Sequence, residues 1–184
     1  MTKNTQENKL ASGLLFIEAV DFLKSKKGEE VLSQLEKSYG ETLFDQHRMY
    51  PLEKLMQLQQ EVIKLAFGEE TDKGYRELGQ YTFESFVHSM VGATLTNVIP
   101  SPKVLLSKIQ ELWGTVINFG ERKLTLIDEK EGKATIEISD DPRTPAYIQG
   151  VIETGLTSIK VKNPETKVVK KTDNSYSIEI TWQV

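Results

Sequence analysis

The side chains best suited to metal or nucleophilic chemistry are scarce in this chain of 184 residues, which has two histidines and no cysteine. A chain without cysteine has no disulfides, thiolate zinc sites, cysteine-held iron–sulfur clusters or cysteine nucleophile. His47 lies in the polar segment Asp45-Gln-His-Arg48, which favours an exposed ring. Two histidines so far apart in the sequence do not by themselves form a zinc site of the usual kind.

His88 is the more informative histidine, because it lies between Phe86 and Met90 in a helical pattern. A histidine beside an apolar helical stripe can ligate haem iron. More often such a histidine is partly buried and bonds to a backbone group or to water. We therefore predict no metal site and keep His88 as an alternative haem ligand.

The main carboxylates near strand ends are Asp140 and Asp141, with Asp128 at the other end of a predicted hairpin. Paired carboxylates can share a proton or hold a hard cation. Here Pro142 and Arg143 follow directly, a composition that favours a solvated turn. The chain also has no glycine-rich phosphate loop and no serine nucleophile motif. We therefore expect a protein that is not an enzyme and name no catalytic residue.

The basic residues cluster near the end of the chain, at Lys160, Lys162, Lys167, Lys170 and Lys171. Lysines at a strand edge commonly prevent edge-to-edge aggregation, and a site for an acidic partner is the alternative. The net charge of −4 argues against a general nucleic-acid binder. No apolar run approaches the roughly 20 residues that span a bilayer. Together with the lack of cysteine and of a signal peptide, this favours the cytoplasm.

The first half of the chain has the 3.6-residue periodicity of helices. The pattern predicts a polar, disordered tail over 1–12. Helices are predicted over 13–27, 29–39, 51–67 and from residue 71 or 72 to about 95. Gly79 and Gly92 inside the fourth helix suggest that another helix approaches closely.

Residues 101–120 give the clearest helix signal in the sequence. Ser101 is a good N-cap, Pro102 suits the first helical position, and Gly120 suits the residue that closes a helix. The apolar residues between them lie on one wide side of a helical wheel. The pattern predicts one continuous helix whose apolar side is covered from more than one direction.

After residue 120 the periodicity changes to 2, which is typical of strands. Strands are predicted over 124–127, 134–138, 167–172 and 175–184, with a helix from Thr144-Pro145. The strands form local hairpins, so the fold class is α+β with an antiparallel four-stranded sheet. We expect one domain over 13–184, in which a helical half (13–98) packs on a helix-ββ-α-ββ half (99–184).

Several aromatic residues of the second half fall on predicted inner sides, among them Trp113, Tyr147 and Tyr176. Their arrangement fits either a plain aromatic core or an apolar ligand pocket between the helical half and the sheet. The pocket hypothesis names Phe86, Met90, Leu106, Ile109, Trp113, Ile117 and Tyr147 as its lining.

The order of elements resembles a known superfamily, the haem–nitric oxide/oxygen-binding (H-NOX) domains. Its relatives include the small-molecule-binding domain of the 4-vinyl reductase family and uncharacterised bacterial proteins of about this length. The stretches that carry the resemblance are Gly13-Leu-Leu-Phe-Ile-Glu-Ala-Val-Asp-Phe-Leu, Tyr75-Arg-Glu-Leu-Gly79, Tyr147-Ile-Gln-Gly150 and Tyr176-Ser-Ile-Glu-Ile-Thr-Trp182. The resemblance covers most of residues 13–184.

The chain departs from the haem-binding branch of this superfamily at two motifs. That branch has a proximal histidine on the helix before the sheet, but residues 101–119 contain none. It also has a Tyr-x-Ser-x-Arg element that holds the haem propionates, and no such string occurs here. The resemblance therefore implies a cytoplasmic small-molecule-sensing or interaction domain without haem. The alternatives are a haem-based gas sensor that uses His88, and an adaptor or homodimer scaffold that binds no ligand.

Overall fold

The computed structural model of the protein describes residues 9–88, 99–172 and 175–184. It confirms the α+β class and the four-stranded antiparallel sheet. The chain forms two compact units: the first falls within Met1–Thr71 and Trp113–Phe119, and the second within Asp72–Leu112 and Gly120–Val184. The helix that follows residue 71 belongs to the second unit.

The first helix, α1, spans Gly13–Lys27 as predicted. Its start is fixed by Ser12, whose hydroxyl accepts a hydrogen bond from the backbone N–H of Leu14 and satisfies one orphan donor. Gly28 ends the helix with φ 84°, a conformation that favours glycine. The helix is buried on most sides, and its fully or nearly fully buried apolar residues are Leu15, Phe16, Ala19, Val20, Phe22 and Leu23.

The first unit contains two more of the predicted helices. A 3-10 turn, Glu29–Val31, leads into α2, which spans Leu32–Tyr39 and is followed by Gly40. The third helix, α3, spans Leu52–Phe67 and packs against α1 and α2. Its buried stripe has helical spacing and contains Leu55, Leu58, Val62 and Ile63.

A small sheet that the sequence did not predict also lies in the first unit. Strand β1 (Leu10–Ser12) pairs antiparallel with β2 (Met49–Pro51). Ala11 of β1 is fully buried and forms a further bridge with Ile117. The prediction of a disordered tail over 1–12 is therefore wrong for its last residues, and residues 1–8 lie outside the described part of the chain.

The second unit is built on a sheet with the strand order β3-β4-β6-β5. The strands are β3 (Glu121–Asp128), β4 (Lys133–Ser139), β5 (Lys162–Lys171) and β6 (Tyr176–Gln183). In the centre, Ile136 lies opposite Ile178, and both are fully buried. The sheet confirms the predicted hairpins, although β5 begins earlier than residue 167.

Two helices of the second unit cross with almost no space between their backbones. They are α4, which spans Asp72–His88, and the sheet-packing helix Pro145–Ser158. A Cβ atom added to Gly79 would lie 2.0 Å from the carbonyl oxygen of Tyr147, and one added to Gly150 would lie 2.1 Å from that of Arg76. The close approach suggested by Gly79 is confirmed; Gly92 lies outside the described residues, as does the predicted continuation of α4 to about residue 95.

The prediction of one continuous helix over 101–120 is wrong. The structure has two short helices, α5 (Pro102–Ser107) and α6 (Ile109–Gly114), and the sheet-packing helix is therefore α7. Lys108 separates α5 from α6 because its φ of −92° and ψ of 0° leave the helical range. The apolar residues of this segment are divided between the units: Leu105 and Leu106 are buried in the second unit, and the buried residues after 112 belong to the first.

We expect Gly79→Ala and Gly150→Ala each to lower the free energy of unfolding by about 1–3 kcal/mol, because the added methyl group meets backbone that cannot rotate away. Urea denaturation followed by circular dichroism measures the change. Gly114→Ala is the matched control, because its Cβ would meet nothing within 4 Å. The control should be neutral or stabilising by up to about 1 kcal/mol. Equal losses in all three variants would contradict the proposed tight crossing.

Candidate functional site

The most concentrated charge in the interior of the second unit is the cluster of Arg122, Asp141 and Arg143, called here the buried ion cluster. These residues are 4%, 1% and 2% exposed. Arg143 donates from Nε to Asp141 Oδ1 at 3.0 Å and from Nη2 to Oδ2 at 2.7 Å, which is a bidentate pair. Arg122 donates from Nη2 to Asp141 Oδ2. One carboxylate therefore engages two guanidinium groups.

The cluster is positioned by the ends of three elements. Arg122 lies near the start of β3, where its backbone N–H donates to Gln110 Oε1 at 2.7 Å. Asp141 follows β4, and its Oδ1 also accepts from the backbone N–H of Arg143 at 3.1 Å, just before α7. The Arg122 guanidinium reaches back to the carbonyl oxygen of Gly120 at 3.2 Å. The cluster therefore ties β3, β4 and the start of α7 to each other.

The sequence interpretation of Asp140 and Asp141 as one solvated turn is wrong for Asp141. Asp140 is exposed, whereas Asp141 is among the most buried charged residues of the described chain. Burial alone would raise the pKa of the Asp141 carboxyl, but the charge and hydrogen bonds of Arg143, with the charge of Arg122, hold that pKa below its ordinary value. Asp141 is therefore a charged structural partner.

Two tyrosines border the buried ion cluster. The Arg143 guanidinium lies 5.5 Å from the ring centroid of Tyr147, within the range of a cation–π interaction. Tyr176 is 4% exposed, and its hydroxyl has no hydrogen-bond partner among the described residues. Burial, and then the negative charge of Asp141, raise the pKa of Tyr176, so this hydroxyl stays protonated.

The predicted pocket residues do not all fall in one unit. Leu106, Ile109 and Tyr147 are buried in the second unit, and Phe86 is half-buried there. The buried Trp113 and Ile117 belong to the first unit, and Met90 lies outside the described residues. That these residues line one pocket stays a prediction.

Within the second unit, an apolar surface is formed at the C-terminal half of α4. The rings of Phe83 and Phe86 are 5.8 Å apart, and both side chains are half-buried. A Cβ atom at Gly155 of α7 would lie 3.3 Å from the Phe83 ring and 3.5 Å from Leu105. Gly155 thus lets an aromatic ring of α4 approach α7 closely, while part of the aromatic surface remains exposed.

Neither histidine occupies an apolar interior. His88 is exposed at the end of α4, and its Nδ1 atom lies 2.7 Å from the carbonyl oxygen of Glu84. The backbone contact agrees with the commoner interpretation of this histidine, but the ring is exposed and not partly buried as that interpretation expected. His47 is exposed, as predicted, and its ring nitrogen Nε2 lies 3.0 Å from Gln46 Nε2.

Sequence reasoning missed Glu18, a buried carboxyl in α1. The residue is 6% exposed, and burial, followed by the nearby charge of Asp21, raises its pKa to about 8. The only available signal was its position between Ile17 and Ala19 in the apolar part of α1. Arg122 was also missed, although the alternation of β3 places it on the same face as Leu124.

A surface groove of about 320 Å³ lies in the first unit between α2 and α3. Its lining includes Tyr39, Glu41, Lys54, Gln57 and Glu61. The Tyr39 hydroxyl donates to the carbonyl oxygen of Lys54 at 3.0 Å, and burial with the charge of Glu41 raises the pKa of Tyr39 to about 12. This groove is polar and does not correspond to the predicted apolar pocket.

The described ranges contain no helix with the length and hydropathy needed to cross a bilayer. Over the same residues, histidine, aspartate and glutamate side chains form no group of three or more that could hold a metal ion.

We expect Asp141→Asn to lower the free energy of unfolding by about 3–5 kcal/mol at pH 7, because two buried guanidinium groups lose their carboxylate. The depressed pKa of Asp141 gives stability that is present above its unfolded pKa and is lost as the pH falls through the folded pKa. The difference in the free energy of unfolding between wild type and variant should therefore become smaller at acid pH. Urea denaturation from pH 7 downwards measures it.

Asp140→Asn is the matched control for this prediction. Asp140 is exposed and has φ 56°, a conformation that asparagine tolerates. This substitution should change the free energy of unfolding by no more than about 0.5 kcal/mol. A loss in Asp140→Asn as large as that in Asp141→Asn would show that the buried ion cluster is not the source of stability.

A family model described as "Protein of unknown function (DUF2378)" matches residues 4–183. A search of curated proteins found no match. Among solved structures, the unliganded Fe(II) H-NOX protein from K. algicida has a TM-score of 0.73 at 13% identity, over 94% of this chain and 97% of that one.

Two further H-NOX structures match to a similar extent. A mutant of the T. tengcongensis protein has a TM-score of 0.76 at 13% identity, over 94% of this chain and 98% of that one. The S. oneidensis protein in its Fe(II)NO ligation state has a TM-score of 0.71 at 12% identity, over 94% and 99%. This chain therefore has the fold of H-NOX domains.

Proposed function

Because this chain belongs to the DUF2378 family of proteins of unknown function and has the H-NOX fold, we propose that it is a sensor domain that binds an apolar small molecule without haem. The observation that carries the proposal is the length of the structural correspondence, which includes nearly all of each chain. In this proposal the protein works in the cytoplasm as a signalling or interaction domain and not as an enzyme.

The residues present fit haem poorly, which supports the proposal of a sensor without haem. Haem iron in proteins is held by histidine, cysteine, methionine or tyrosine. This chain has no cysteine, and neither α5 nor α6 contains a histidine. His88 and His47 are both exposed, whereas a haem ligand has to lie against a pocket that encloses the macrocycle.

The buried ion cluster further disfavours haem in this chain. A haem propionate is a carboxylate, and arginine is the side chain that best pairs with carboxylates. The forked donors of Arg143 are engaged by Asp141, and Arg122 also bonds to this carboxylate. The carboxylate that these arginines bind is thus supplied by the protein itself.

The chemistry of the ligand follows from the apolar side chains of the second unit. Ligand pockets are lined mainly by hydrophobic and aromatic groups. Phe86 presents a half-buried aromatic ring. Leu106, Ile109 and Tyr147, which the pocket hypothesis also names, supply buried apolar surface in the same unit. We therefore propose an apolar molecule as the ligand, with the half-buried ring of Phe86 as one of its contacts. A ligand shifts a conformational equilibrium only through differential affinity for the two states.

We expect the purified protein to remain without a Soret band after equilibration with haemin and removal of the excess. Absorption spectroscopy in the visible range measures this. A Soret band that disappears in His88→Ala would overturn the proposal and support the alternative of a haem-based gas sensor. His47→Ala is the matched control, because it removes the other exposed histidine.

We also expect saturable binding of the neutral fluorescent probe N-phenyl-1-naphthylamine, weakened about tenfold by Phe86→Ala through the loss of aromatic contact. Fluorescence titration measures the affinity, and circular dichroism checks that the variant is folded. Leu126→Ala is the control, since Leu126 is a 50% exposed residue of β3, and it should bind as wild type does. Absence of saturable binding would contradict the proposal and favour an adaptor or dimer scaffold.

A further inference from the structure

The carboxyl group of Glu18 is buried in the first unit and takes no part in the proposed ligand binding. Glu18 lies near the middle of α1 and is 6% exposed. Its Oε2 oxygen has no hydrogen-bond partner among the described residues. Burying an ionised carboxylate without a partner costs much free energy, so the native packing favours the neutral acid.

The charge that acts on Glu18 comes from its own helix. Asp21 lies three residues further along α1 and forms an ion pair with Lys24. Burial is the larger cause and Asp21 the smaller cause of a rise in the pKa of Glu18 from 4.5 to about 8. The basic residues of α1 lie in its last turn, and Lys24 is engaged by Asp21.

The elements that pack against α1 supply no counter-charge to Glu18. α1 packs on α3, on the 3-10 turn and on β1, and its first residue also contacts the segment 45–48, whose residues Asp45, His47 and Arg48 are exposed. β1 has no charged residue, and Glu29 and Glu30 of the 3-10 turn are exposed. The charged residues of α3 at exposed or half-buried positions are Glu53, Lys54, Glu61 and Lys64. Among described residues, Asp21 is the charged group that shifts the proton affinity of Glu18.

We propose that Glu18 makes the first unit a proton-sensitive device, in which loss of one proton places a buried charge in α1 and loosens its packing. The start of α1 is anchored by Ser12, whose N–H donates to the carbonyl oxygen of Val116 at 2.7 Å. Glu18 lies less than two helical turns from that anchor. The charge therefore acts on the attachment of α1 and β1 to the segment Trp113–Phe119, which lies in the same unit.

The direction of the pH effect follows from the pKa of Glu18 in the unfolded chain, 4.5, and its pKa in the folded unit, about 8. Below about pH 4.5 both the folded and the unfolded chain keep the proton, so the stability is fully present. Between about pH 4.5 and about pH 8 only the folded unit keeps it, and the stability falls as the pH rises. Above that range both states are ionised, and the stability no longer changes with this group.

Hydrogen–deuterium exchange of the α1 amides, corrected for the intrinsic pH dependence of exchange, tests the proposal on the full chain. From pH 5.5 to pH 7.5, the protection factors of α1 in wild type should fall by up to about tenfold per pH unit, the effect of one proton. In Glu18→Gln this fall in the protection factors should disappear, because the side-chain amide of glutamine does not titrate. Glu36→Gln on α2 is the matched control and should keep the wild-type fall, since Glu36 is exposed.

A second variant keeps the test decisive if Glu18→Gln does not fold. Asp21→Asn removes the charge that adds to the raised pKa, so the pH at which the protection factors level off should move down. Constant protection factors in wild type, an undiminished fall in Glu18→Gln, or an unchanged levelling-off in Asp21→Asn would each overturn the proposal. None of these outcomes bears on ligand binding by the second unit.

Discussion

The backbone contact between α4 and α7 is the constraint on which the second unit depends. At Gly79 and Gly150 each helix meets a carbonyl oxygen of the other, with no room for a methyl group. The contact is reinforced by the ion pair of Arg76 with Glu153 at 3.3 Å. Gln149 then bonds α7 to the carbonyl oxygen of Thr166 on β5 at 2.9 Å. Fixing α7 in this way also fixes Tyr147 and the aromatic surface of α4.

The buried ion cluster acts at the start of α7, where Arg143 precedes the helix. Three buried charged side chains are tolerated only when each is paired, because the desolvation cost of an unpaired charge is large. Asp141 satisfies this condition by engaging Arg122 and Arg143 together. The same pairing joins β3 and β4 to α7 and engages both arginines with the protein's own carboxylate. For this reason we favour a ligand without carboxylates over haem.

Much of the fold could be predicted from sequence because the local signals agree with the packing. α1 has the predicted bounds, and the alternation of β4 and β6 puts Ile136 and Ile178 on the buried face. Residues 101–120 show why the rest could not be predicted. Their capping signals are those of one helix, but Lys108 leaves the helical range, so α5 ends at Ser107 and the next helix, α6, ends at Gly114. The lining of the candidate pocket likewise depends on tertiary packing that periodicity does not specify.

The sequence by itself determined the class of the fold, the helix ends at Gly28 and Gly40, the hairpins and the scarcity of catalytic or metal-binding side chains, because these depend on residue type and local spacing. Only the tertiary structure decided which polar residues are buried. Asp141 has the composition of a solvated turn, and Glu18 lies in an ordinary helix, yet both are enclosed. Burial depends on what the rest of the chain places over a residue, so long-range packing, and not local pattern, sets the charge state of these two carboxyl groups.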